Sequence, residues 1–169
     1  MRFLIIFIFL ISNSIADETI EINNLVIYDK LKKYDAITFL DEKNNELNLD
    51  DYKGNLVLLN FWATWCAPCK EEMPSLDQLQ SNKKLNNLKI FPINIGQENL
   101  SKSQKFFEVL SIKNLKVYFI SSINLPKKLQ LRGIPTTILI NRDGLEFARI
   151  IGSVDFKDEK FISWLSKYN

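Results

Sequence analysis

The chain has 169 residues, of which 46% are apolar and 25% charged, with a formal net charge of +2. That length suffices for one domain with a sizeable core, and the composition excludes bulk disorder. So small a charge, with no basic stripe, gives no electrostatic footprint for nucleic acid or an anionic membrane surface.

At the amino terminus, Met1-Arg2 precedes an apolar run from Phe3 to Ile11, then Ser12-Asn13-Ser14-Ile15-Ala16 and the polar pair Asp17-Glu18. A positive start, a short apolar stretch and small residues at Ser14 and Ala16 predict a secretory signal over residues 1–16, cleaved after Ala16. The run is well short of the roughly 20 residues that span a bilayer, which argues against an uncleaved anchor. No cysteine lies near the processing site, which excludes a lipid-modified lipoprotein. The expected location is periplasmic.

Residues 17–36 mix apolar and charged side chains without clean periodicity and read as an extended lead-in, with an edge strand at Glu21–Tyr28. The domain proper is expected over residues 37–169. Ile37–Leu40 and Glu46–Leu49, joined by Asp41-Glu42-Lys43-Asn44-Asn45, predict a β-hairpin with a polar turn. Asn55–Phe61 has the length and apolar continuity of a buried strand. Glu71–Gln80 has helical spacing, with Pro74 expected to kink it. Leu88–Ile95 predicts the next parallel strand, where Pro92 demands an edge, a bulge or a strand end.

Ser101–Gln104 fits a capping box opening a helix whose apolar face is Phe106, Phe107 and Leu110. Val117–Ile120 predicts a short strand, and Asn124–Leu131 a short helix beside the basic residues Lys127, Lys128 and Arg132, read as a solvated face. Thr136–Ile140 and Leu145–Ile151 flank the tight-turn signal Asn141-Arg142-Asp143-Gly144. A final helix from Phe156 to Lys167 is expected to bury Phe161, Leu165 and Tyr168. Alternating strands and helices ending in an antiparallel hairpin predict an α/β fold with a mixed sheet.

The chemistry concentrates in Phe61-Trp62-Ala63-Thr64-Trp65-Cys66-Ala67-Pro68-Cys69-Lys70, which holds both cysteines of the chain at a strand-to-helix junction. The first turn of a helix offers free backbone N–H groups and the positive end of the dipole, and both stabilise a thiolate. Cys66 is then the expected nucleophile and Cys69, one turn on, the resolving thiol. A structural disulfide would gain little from so short a loop. With two cysteines and no histidine, a four-ligand zinc site is out of reach, as are Cys–His and Ser–His schemes. Pro68 has no N–H to give the Cys66 sulfur, which argues for a reducing pair.

Trp65-Cys66-Ala67-Pro68-Cys69-Lys70, with Glu72, Pro74 and the later Gly133-Ile134-Pro135-Thr136-Thr137, resembles the exported TlpA/ResA-like thiol:disulfide reductases. The resemblance runs from about Ile37 to the C-terminus. It implies a thioredoxin-like three-layer α/β/α sandwich with a mixed central sheet, an N-terminal β-hairpin extension and an αβ insertion. It also implies a cis Ile134–Pro135 bond facing the cysteines, where the exposed backbone of Ile134 pairs with an extended substrate segment. Trp65, Ala67 and Pro68 would complete the substrate surface, with Trp65 shielding Cys66 and Trp62 packing beneath. Glu72, three residues after Cys69, would shuttle the proton of the resolving thiol. Asn60 takes the place where thioredoxins usually carry a buried Asp.

The activity so implied is reduction of disulfides in exported proteins, such as the haem-attachment cysteines of an apocytochrome c. A membrane thiol relay would supply the electrons. No cofactor and no metal are called for, and a monomer is expected. A disulfide oxidant or isomerase, and a Cu(I)-binding thiol module for oxidase assembly, are the competing readings.

Overall fold

The computed structural model describes residues 22–169, so the expected signal over residues 1–16 lies outside the described residues. The sheet is built around β4 (Leu56–Trp62), whose seven residues are all buried. A strand covered on both faces reads as a continuous apolar run rather than an alternation. Its side chains still alternate in direction. Leu56, Leu58 and Trp62 enter one core cluster with Met73, Leu76, Phe161 and Trp164. Val57, Leu59 and Phe61 enter the other with Phe39, Phe91, Leu125 and Leu129. Asn60 therefore points into the first layer, beneath the helix that follows the cysteines.

That helix is α1 (Ala67–Gln80), with Pro74 inside it. β4 runs parallel to β5 (Leu88–Asn94) and antiparallel to β7 (Thr136–Ile140). β1 (Leu25–Lys32), β2 (Thr38–Leu40), β3 (Glu46–Asn48), β6 (Tyr118–Ile120) and β8 (Glu146–Ile151) complete an eight-stranded mixed sheet in the order β1-β8-β7-β4-β5-β6-β2-β3. The other helices are α2 (Leu100–Val109), α3 (Leu125–Lys128) and α4 (Glu159–Leu165), the last followed by a 3-10 turn over Ser166–Tyr168. This is the α/β sandwich that the motif order implied.

Several local expectations need correction. The edge strand of the lead-in lies at Leu25–Lys32 and pairs with β8, so it is part of the sheet. Of the three outcomes expected for Pro92 the structure takes the edge: the β4–β5 register is continuous through Asn60↔Pro92, with no bulge. β6 pairs with β5 only at Ile93 and Asn94, so the side of Pro92 away from β4 has no ladder partner to lose. The cap of α2 is Asn99, whose side chain accepts from the Lys102 amide at 2.9 Å, and not Ser101. The helix expected at Asn124–Leu131 is only the single turn of α3, and the last helix begins at Glu159 rather than Phe156.

The hairpin β2–β3 lies at the far edge, joined to the domain through β6. An aromatic cluster ties it down: Phe39 and Phe91 have ring centroids 4.9 Å apart, and Tyr118 sits 5.1 Å from Phe91 and 5.6 Å from Phe39. Each such pair contributes roughly 0.5–1.5 kcal/mol beyond its buried area.

Candidate active site

β4 ends at Trp62, and four residues later Cys66 caps the N-terminus of α1. The Cys66 amide donates to the Ala63 carbonyl at 3.2 Å, closing a tight turn. Ala67 and Pro68 open the helix, Pro68 at a position where a missing N–H costs nothing. The amide that does reach the sulfur is that of Cys69, which donates to Cys66 Sγ at 3.3 Å. The sulfur thus stands where an oxygen stands in an ordinary cap, close to the positive end of α1.

Cys66 and Cys69 form a disulfide, with Cα atoms 5.3 Å apart. Cys69 is wholly buried, whereas Cys66 retains 5% exposure. An incoming thiolate can therefore meet only the Cys66 sulfur. Ala67 and Pro68 are exposed beside it. Trp62 packs against Phe106 and Phe107, at centroid distances of 4.8 and 5.3 Å, in the cluster that holds both cysteines. Trp65 is 67% exposed, so its ring is a surface feature next to the disulfide and not a buried cover.

Register brings the second motif to the same place. Phe61 pairs with Thr136, so Pro135 lies beside the end of β4, where the loop to Cys66 begins. The Ile134–Pro135 bond is cis. Pro135 is buried and its carbonyl accepts from the Gly152 amide at 2.9 Å. Ile134 is half-buried and packs against both core clusters, including the one containing the cysteines.

Glu72 is 2% exposed, on the face of α1 that carries Cys69, while Glu71 faces solvent. The Asn60 amide donates to Glu72 Oε1 at 2.8 Å and to Thr137 Oγ1 at 2.9 Å. Glu72 Oε2 has no hydrogen-bond partner among the described residues. Burial pushes the carboxyl up from 4.5 to about 8, against the opposing pull of Asn60 and the nearby Val154 amide. Asn60 matters here because it is neutral: a carboxylate in its place would put two like charges in one buried pocket.

The sign of the resulting pH dependence follows directly. Between about 4.5 and about 8 the folded protein holds a proton that the unfolded chain has lost. This contribution to stability is fully present below about 4.5, declines as pH rises through neutrality, and levels off above about 8. In urea unfolding of the oxidised protein, wild type is expected to lose on the order of a few kcal/mol more than Glu72→Gln between about pH 5 and about pH 9. Parallel profiles for the two proteins would mean that Glu72 is ionised in the fold.

The loop before Cys66 is held from the other side by Glu98, which sequence reasoning missed. Its side chain is 5% exposed. It accepts from the Thr64 amide at 2.9 Å, from the Thr64 hydroxyl, from Asn94 Nδ2 at 3.1 Å and from Lys102 Nζ. Burial alone would raise its pKa; the bonds from Lys102, Thr64 and Asn94 outweigh it and hold the carboxyl down at about 2. A Cβ on Gly96 would lie 2.9 Å from Ala63 Cβ and 3.0 Å from Glu98 Oε2, so only glycine lets the two loops approach this closely. The one cue in the sequence was the polar group Asn94, Gly96 and Glu98 directly after an apolar strand. Among the described residues no three Asp, Glu or Cys side chains converge on a metal position.

Comparison with known proteins gives a consistent picture. The Redoxin family model matches residues 29–159. Thiol-disulfide oxidoreductase ResA of Geobacillus kaustophilus is 34% identical over 119 residues, covering 70% of this chain and 67% of the relative. ResA of Bacillus subtilis is 30% identical over 122 residues, covering 71% and 67%. Among solved structures, the thiol:disulfide interchange protein, a thioredoxin family protein, from Chlorobium tepidum superposes with a TM-score of 0.66 at 21% identity, covering 82% of this chain and 98% of that one.

Proposed function

This chain belongs to the ResA-like thiol-disulfide oxidoreductases of the Redoxin family, and on that footing we propose that it reduces disulfides in exported proteins, working from the periplasm. The observation that carries the proposal is the Cys66–Cys69 pair at the start of α1, where Cys66 keeps 5% exposure and Cys69 is wholly buried. The chemistry is a dithiol–disulfide exchange. Cys66 thiolate attacks one sulfur of the client disulfide; a mixed disulfide forms and the client's other sulfur leaves as thiolate. Cys69 then loses its proton and attacks Cys66 Sγ, releasing the second client sulfur and oxidising the pair.

Glu72, buried on the face of α1 that carries Cys69, would take the proton from Cys69. Its raised pKa suits both halves of that task, since a base near neutrality accepts a proton readily and can give it up again. Trp65, Ala67 and Pro68 on one side, and Ile134 and Pro135 on the other, would line the client strand. Main-chain pairing along Ile134 tolerates many sequences.

Recharging needs two electrons and two protons, for which a membrane thiol relay is the proposed donor. The proposed client is the haem-attachment Cys-x-x-Cys-His of an apocytochrome c. Residues 1–16 are the proposed cleaved signal and residues 37–169 the thioredoxin-like unit, acting as a monomer. Among the described residues no helix is long and apolar enough to cross a membrane. The test is to mix the reduced protein with an oxidised peptide bearing Cys-x-x-Cys-His. Loss of the peptide disulfide with matching formation of Cys66–Cys69 is expected, and a peptide that stays oxidised would contradict the proposal.

A further inference from the structure

A cavity of about 320 Å³ opens between β1, β8 and the segment leading to Pro135. Its walls include Val26, Ile151, Thr136, Lys32, Arg132 and Arg149, and no residue lining it is acidic. Thr136 directly follows Pro135 and Arg132 precedes Gly133. The cavity therefore borders the turn along which a client strand would pair.

Its charges differ in kind. Arg149 is fully engaged: it donates to Glu146 at 2.8 and 3.0 Å, to the Tyr34 hydroxyl at 3.1 Å and to the Leu129 carbonyl at 2.9 Å. It acts as a wall, fixing the backbone that leads to Arg132. Lys32 and Arg132 form no ion pair among the described residues. Lys32 is held in place over the Tyr28 ring, 3.5 Å from its centroid. The groove thus has a rigid floor, two cations without an ion-pair partner among the described residues, and an apolar rim, with Val26 40% and Ile151 43% exposed.

We propose that this groove receives the flank of the client polypeptide and favours an acidic segment, with Asp or Glu set against Lys32 and Arg132 and an apolar side chain against Val26 and Ile151. The proposal rests on the reductase reading. Charge complementarity of this kind at a rim acts through encounter rate and falls with salt.

The test separates docking from chemistry. Peptides carrying Ser in place of both client cysteines, alike except for an Asp/Glu or an Asn/Gln flank, are titrated onto the oxidised protein by fluorescence anisotropy. The acidic peptide is expected to bind tighter, on the order of fivefold for two rim cations, with the preference lost at high salt and in Lys32→Glu/Arg132→Glu. The same double variant, once reduced, is expected to react with a small neutral disulfide at the wild-type rate. Equal affinity for the two peptides, or a preference that survives the charge reversal, would overturn the groove. A wild-type protein that discriminates the peptides yet reduces no disulfide would leave the groove standing and remove the reductase reading.

Discussion

Replacing Cys69 with serine is expected to stop the exchange half-way, so that client protein accumulates covalently bound to Cys66. The reason lies in the different surroundings of the two sulfurs. Cys66 retains a small exposed surface at the helix start, whereas Cys69 is sealed beneath it. Only Cys66 can meet an outside disulfide, and only Cys69 lies within reach to resolve the adduct. Cys66→Ser should form no adduct at all. Turnover in either variant is expected to fall at least about a thousandfold, because nucleophile and resolving group act as a unit. Non-reducing electrophoresis and intact mass after mixing with an oxidised client check this. A stable adduct in Cys66→Ser and none in Cys69→Ser would reverse the assignment.

The second large effect lies away from the cysteines. Arg149 and Glu146 form an ion pair with side-chain exposures of 6% and 0%. The Tyr34 hydroxyl joins them by donating to Glu146, and burial together with that carboxylate drives its pKa upward. Removing one member leaves a charge buried and unpaired, which is far more costly than the pair is stabilising. Arg149→Met is therefore expected to lose about 3–5 kcal/mol in urea unfolding. Replacing both partners, as Glu146→Leu/Arg149→Met, should recover most of that loss. A single variant within about 1 kcal/mol of wild type would mean that water reaches Glu146 in solution.

The parts of the molecule legible from residues alone were those where local pattern and burial agree. Leu56 to Leu59 is apolar without alternation, and that signals a strand covered on both faces. The two cysteines then fall at its end by simple counting. The β2–β3 hairpin and the Asp143-Gly144 turn were equally plain, because turn chemistry is local.

What stayed hidden depends on partners distant in the chain. β1 is largely exposed, so its residues show no alternation, and its place in the sheet is set by β8, more than a hundred residues away. Glu72 could be seen as a residue of interest through resemblance. Its neutral state follows from burial beneath α1, in a pocket that leaves one oxygen without a partner among the described residues, which outweighs the opposing hydrogen bond from Asn60. Glu98 carried no motif at all. Its role appears only when the loop after β5 meets Ala63 and Thr64. Pro92 left an edge, a bulge and a strand end open, and the structure takes the first, because β6 pairs with β5 only from the next residue on.

The measurement that bears most directly on the direction of electron flow is the reduction potential of the Cys66–Cys69 pair, equilibrated in defined thiol buffers and read by tryptophan fluorescence. A reductase dependent on an external electron supply should show a value near or below that of thioredoxin, about −270 mV. A value near that of the oxidant DsbA, about −120 mV, would make the protein a disulfide donor and contradict the account.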